Sequence, residues 1–129
     1  MQHKKRKLTL AIDFDDTIVT SKWPAIGKLK PFAKEIINEL YEDYNCDIII
    51  WTCRENKELE DVVNFLKEND IKYTTINDNT PEILSHWSNL NCRKVFADLY
   101  IDDRSIFAEL PIDWKKVKEY VLMYKMRTL

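Results

Sequence analysis

The sequence predicts an α/β fold: a doubly wound three-layer sandwich with a central parallel sheet, formed by residues 1–129 as one domain. Three observations predict it. Short runs of strand length, Leu8–Ile12, Asp47–Trp51, Ile71–Ile76 and Val95–Ile101, rich in apolar, β-branched or aromatic residues, alternate with segments of helical period. Two of these runs, Leu8–Ile12 and Asp47–Trp51, are nearly continuously apolar, as strands covered on both faces require. Oxygen-bearing polar groups follow the runs: the acids Asp13 and Asp15 after the first, the hydroxyl of Thr52 after the second, the acids Asp102-Asp103 after the last. All fall at strand carboxyl ends, where open α/β sheets leave a crevice.

Taken in order, the chain begins with a basic stretch, His3 to Lys7, read as a solvated end without function. The first strand leads into Asp13-Phe-Asp-Asp-Thr17. The stretch from Ile18 to Lys30 holds Pro24 and the chain's single glycine, Gly27, shows no sustained period, and is expected to be a loop or small flap beside the site. Pro31 suits a first helical turn, and Phe32, Ile36, Ile37, Leu40, Tyr41 and Tyr44 recur at helical spacing up to Asn45.

After the second strand, Glu55 to Asn69 is helical, with Leu59, Val62, Val63 and Leu66 on one face and Asn69 as its stop. Asn79-Thr80-Pro81 is a cap followed by proline at the first helical position, and Ile83, Leu84, Trp87 and Leu90 supply an apolar face with His86 outside it. Asp98, inside the last strand, reads as structural or solvent-facing rather than functional. A final helix opens at Asp113 and buries Trp114, Val117, Val121 and Tyr124.

Composition narrows the class. With 129 residues, 45% of them hydrophobic, the chain can bury a core without staples. A net charge of −2 leaves no footprint for nucleic acid. Three cysteines, Cys46, Cys53 and Cys92, lack zinc-ligand spacing and suggest a reducing compartment, so a cytoplasmic protein is expected. No stretch approaches the ~20 apolar residues of a membrane helix, and no membrane partner is expected.

Acids at neighbouring strand ends would raise each other's pKa and oppose folding unless a cation compensates them. All-oxygen ligands point to a hard ion, Mg²⁺ before Ca²⁺. Taken by itself Asp-Asp-Thr after a strand is also ordinary turn chemistry. The order of the parts decides: Asp13, Asp15 and Thr17, then Thr52, then Lys94, then Asp102-Asp103. This set resembles the haloacid dehalogenase (HAD) superfamily of phosphohydrolases, whose motifs are DxDxT, a strand-ending Ser/Thr, a Lys/Arg and a terminal acid pair. The resemblance covers Leu8 to about Ser105, and the flanks RKVFADLYIDDRS and LPIDW are similar to a small capless, phosphatase-like subgroup.

The resemblance implies a Rossmann-like core, no cap domain, and Mg²⁺-dependent hydrolysis of phosphomonoesters. Asp13 would be the nucleophile forming an aspartyl-phosphate, and Asp15 the general acid and then base, its pKa raised by Asp13 and Asp16. Mg²⁺ would be held by Asp13, the Asp15 main-chain carbonyl and Asp103, with Asp102 either binding it directly or supporting the ligands from behind. Thr52 and Lys94 would contact the phosphoryl group, with Cys53, Arg54 and Arg104 as further substrate contacts. One departure is Asp16, where many members have glycine. Its charge would either weaken phosphate binding or cap the turn.

Two other readings use the same parts. A receiver-type phosphoacceptor switch would need its acceptor after the third strand, and although Asp78 lies there, the hydroxyl and lysine positions then fail. A catalytically silent HAD-fold binding module would keep the fold alone. For the phosphatase, an uncovered crevice implies a substrate large enough to cover it, or a second copy of the chain supplying a lid. The substrate class stays open, macromolecules included.

Overall fold

β1 (Thr9–Asp13) runs through the middle of a parallel sheet, with β4 (Asp47–Trp51) on one side and β6 (Leu99–Ile101) on the other. The two-residue β5 (Thr75–Ile76) lies beyond β4, giving the order β5-β4-β1-β6. This is a computed structural model, and it describes residues 6–128. From β1 the chain winds outward to β4 and β5, then returns to add β6 on the opposite side. The direction therefore reverses between β1 and β6, and the connections diverge there to leave a crevice.

Side-chain alternation sorts the core. Leu10, Ile12, Ile48 and Ile50 are fully buried in one cluster with Ile37 and Leu40 of α1 (Ala33–Glu42), Val62 and Leu66 of α2 (Asn56–Glu68), and Trp114 and Val121 of α4 (Trp114–Thr128). Each such buried aliphatic chain contributes roughly 1.5–3 kcal/mol. Ala11 and Ile49, on the alternate positions, form a smaller cluster with Val95 and Ala97. Beside that segment, Trp87, which ends α3 (Pro81–His86), meets Phe96 edge-on at 5.2 Å. The α/β expectation holds, with unequal layers.

Several local expectations are corrected. The expected flap is a two-stranded antiparallel hairpin, β2 (Val19–Lys22) and β3 (Ala25–Leu29). Most of its side chains stay exposed, so no alternation marks the strands. Gly27 sits where a Cβ would run into the Thr20 carbonyl, which places the glycine at the close approach of the two strands. α1 starts only at Ala33, because Phe32 adopts a left-handed φ of 65° and stands exposed ahead of it. In α2, Val63 is exposed and Phe65 joins the core instead, edge-on to Phe14 at 5.8 Å. The left-handed residue after α2 is Asp70, one later than Asn69. Thr80 caps α3 as expected, its Oγ1 accepting from Ile83 N at 3.3 Å, but the helix stops at His86 and leaves Leu90 exposed.

The run Val95–Ile101 is not one strand. The Tyr100 hydroxyl donates to Val95 O at 2.7 Å and accepts from Ala97 N at 3.2 Å, folding residues 95–100 onto themselves. Asp98 is structural: it accepts from Thr9 N at 2.8 Å and from both arms of Arg6 at 2.6 and 2.7 Å. Burial pushes the Asp98 carboxyl up, but Arg6 and the Thr9 N–H outweigh burial and hold it below its ordinary value. Arg6 is thus fixed rather than merely solvated, while residues 1–5 of the basic stretch lie outside the described residues. No described helix is long and apolar enough to cross a membrane.

Candidate active site

Strand register assembles the site. β1 pairs Asp13 with Trp51 on one side and Ile12 with Ile101 on the other, so the next residues, Thr52 and Asp102-Asp103, emerge at the same rim. One carboxylate oxygen from each of Asp13, Asp102 and Asp103 lies within 4.8 Å of the others. With Asp15, Asp16, Ser21, Trp23, Thr52, Cys53, Arg54 and Arg104 they line a cleft of about 380 Å³. A groove of about 450 Å³ adjoins it across Asp102, but is largely apolar, walled by Ile106, Phe107, Ile112, Val117 and Tyr120.

Crowding is felt most at Asp13. Its pKa is pushed up to about 8, first by burial, then by a hydrogen bond shared with the Asp103 carboxyl and by the charge of Asp102, against a smaller opposing effect of Thr17. Thr17 is fully buried, and its Oγ1 lies 3.1 Å from Asp13 Oδ2 and 3.2 Å from Asp103 Oδ1 while accepting from Asp103 N at 3.1 Å. A hydroxyl has one proton, so it donates to one carboxylate at a time. Trp114 Nε1 in turn donates to Thr17 O at 2.9 Å, which anchors this turn to the start of α4. Neither bond is legible from the sequence, since each joins residues more than eighty positions apart.

Asp15 is held differently. Arg54 Nε donates to Asp15 Oδ2 at 2.8 Å and Nη2 to Oδ1 at 2.9 Å, a two-pronged pair. Arg54 is 2% exposed, and its remaining donors reach Pro24 O and Ala25 O, both at 2.9 Å. The expected substrate contact is therefore a clamp between the acid and the hairpin. Asp15's immediate charged partner is this cation rather than another acid.

Asp16 serves the turn, and its carboxylate also stays in the cleft wall, so the two alternatives are compatible. Its φ is 64°, a left-handed conformation that glycine adopts freely and Asp tolerates, and its Oδ1 accepts from Ser21 N at 3.0 Å. Thr52 Oγ1 accepts from Arg54 N at 3.1 Å, which leaves the hydroxyl proton free to donate into the cleft. Cys53 is exposed on the cleft wall.

Lys94 does not line the cleft. It precedes β6, whereas the acids follow that strand, and its Nζ lies 5.3 Å from the centre of the Tyr100 ring. Arg104, next to the acid pair, lines the cleft and has no ion-pair partner among the described residues. Five carboxylates thus share the cleft with two guanidinium groups, one of them occupied by Asp15. The oxygen donors of Asp13, Asp102 and Asp103 suit a hard divalent cation, which would offset the excess charge.

No protein-family model matches the chain, and no curated protein matches it. Among solved structures, that of the conserved protein coded by a locus of Bacteroides thetaiotaomicron is similar, with a TM-score of 0.77 and 30% identity over 92% of this chain and 93% of that one. This chain belongs to the same family as that conserved protein.

Proposed function

We propose that the protein is a Mg²⁺-dependent phosphomonoester hydrolase that works through an aspartyl-phosphate on Asp13. The observation that carries this reading is the convergence of Asp13, Asp102 and Asp103 on one cleft with the Thr52 hydroxyl and Arg104. The parts and their order resemble the haloacid dehalogenase superfamily, in its Rossmann-like, capless form. Consistent with that form, only a hairpin separates β1 from α1, and only α2, β5 and α3 intervene between β4 and β6.

The chemistry follows from the residues. A carboxylate oxygen of Asp13 forms a bond to phosphorus as the ester P–O bond breaks, and the leaving oxygen takes a proton that Asp15 has first taken up from solvent on a lone pair Arg54 leaves free. Water then attacks the acyl phosphate, returns a proton to Asp15 and releases inorganic phosphate. Arg54 holds both Asp15 oxygens from one side, and each oxygen keeps a second lone pair for this exchange. Thr52 and Arg104 donate to phosphoryl oxygens, Arg104 in place of the more distant Lys94. Mg²⁺ held by Asp13, Asp102, Asp103 and the Asp15 main-chain carbonyl would screen the nucleophile from the phosphate and polarise a phosphoryl oxygen.

An uncapped cleft excludes water poorly, so the substrate either brings covering surface of its own or is covered by a second copy of the chain. The decisive experiment is phosphate release with Mg²⁺ from sugar phosphates, nucleotides, phosphopeptides and polynucleotide ends, comparing wild type with Asp13→Asn. A folded but inactive variant is expected. Turnover retained by pure Asp13→Asn would overturn the assignment, and a phosphorylated wild type that persists for minutes without substrate would replace it by a receiver-type switch.

A further inference from the structure

The acid cleft has one aromatic side chain in its wall, Trp23, at the turn of the hairpin. It is 62% exposed, so its ring is accessible from the cleft side and from solvent. One face of the ring is covered: the Arg54 guanidinium carbon lies 5.0 Å from its centre. Arg54 is itself immobilised by Asp15 and by the carbonyls of the two residues that follow Trp23. The indole is thereby held in place at the mouth of the cleft, with the rest of its surface open to solvent.

The remaining wall is almost wholly charged or hydroxyl-bearing, so Trp23 is the surface there on which an uncharged planar group could be desolvated. Resting on the phosphomonoesterase reading, we infer that Trp23 is the specificity-determining residue of this cleft and that the preferred esters carry a planar aromatic ring next to the phosphate. The phosphate enters among Asp13, Thr52 and Arg104, and the ring of the leaving group stacks on the indole. Arg54 is a positioning residue in this arrangement, because it aligns the acid that protonates the leaving oxygen and the ring that holds the leaving group.

The test compares benzyl phosphate with cyclohexylmethyl phosphate, whose leaving alcohols are of similar size and acidity but differ in having a flat π face. For the wild type with Mg²⁺, kcat/KM is expected to favour the benzyl ester by about 3- to 10-fold, the range that aromatic stacking supports, with most of the difference in KM. In Trp23→Leu the ratio should fall to near one, and in Trp23→Phe most of it should remain. Turnover of both esters with a wild-type ratio near one, or a ratio unchanged by Trp23→Leu, overturns this inference and leaves hydrolysis standing. If Trp23→Leu does not fold, the wild-type ratio and its retention in Trp23→Phe decide the matter. Failure of the wild type to hydrolyse any ester with Mg²⁺ removes the phosphomonoesterase reading, and the stacking role with it.

Discussion

Arg54 and Asp15 face each other through two parallel hydrogen bonds of 2.8 and 2.9 Å, with the arginine buried and the aspartate open to the cleft. Removing the guanidinium leaves the carboxylate unpaired and the Pro24 and Ala25 carbonyls without their donor. Arg54→Ala is therefore expected to lower the unfolding free energy by about 3 kcal/mol, and Arg54→Lys by less, because lysine keeps the charge without the fork. Urea denaturation measures both. A loss under about 1 kcal/mol for the alanine variant would place the pair among weak surface ion pairs.

Asp13 links the site to pH. Its carboxyl rises from 3.8 to about 8 on folding when no cation neutralises it, so the folded state binds a proton the unfolded chain has already lost. The stability this group contributes is fully present below about pH 4 and is lost as the pH climbs through about 8. A cation at Asp13 competes with that proton. Thermal melts with Mg²⁺ and with EDTA should show a larger stabilisation by Mg²⁺ at about pH 9 than at about pH 5, and Asp103→Asn should shrink it. Equal gains at both pH values would place the ion elsewhere.

Thr17→Val keeps the volume of a fully buried side chain and deletes its hydroxyl. The Asp103 N–H loses its acceptor, and the two neighbouring carboxylates lose a shared donor. A destabilisation of about 1–3 kcal/mol is expected, together with weaker half-saturation by Mg²⁺. Chemical denaturation and activity titrated against Mg²⁺ separate these effects, and an unchanged Mg²⁺ midpoint would limit Thr17 to a structural role.

Asp16→Asn tests the charge at the turn alone. Asparagine tolerates the left-handed φ of 64°, and its side-chain oxygen can still accept from Ser21 N. Stability should stay within about 0.5 kcal/mol of wild type. KM for phosphate esters should fall, because one negative charge leaves the cleft wall. A KM that rises would show the charge to be needed for binding.

The acids at the strand ends were legible because side-chain type, position after an apolar run and parallel pairing are all local or regular properties. Asp13, Thr52, Asp102 and Asp103 meet in the cleft for that reason. The Arg54–Asp15 clamp joins positions 39 apart through a hairpin whose exposed strands carry no period, and no spacing reveals it. Only its order among the motifs points Lys94 to the site. Order along the chain does not say which rim a residue reaches, and one that precedes a parallel strand starts from the end opposite the acids. The last strand is shorter than its apolar run because Asp98 and Tyr100 use their side chains to satisfy backbone groups that a ladder would otherwise pair.

The bond from Trp114 to Thr17 bears on how the chain is made. A ribosome delivers Asp13, the hairpin and Arg54 early, so the Asp15 clamp can close while synthesis continues. Asp102 and Asp103 arrive some ninety positions after Asp13, and the indole that fixes the Thr17 turn comes later still. Closing contacts over such separations is slow compared with forming local ones. On that order a nascent chain passes through a period in which Asp13 is exposed without its two partner acids, and a cation that needs all three would find its site only once α4 has left the exit tunnel and docked.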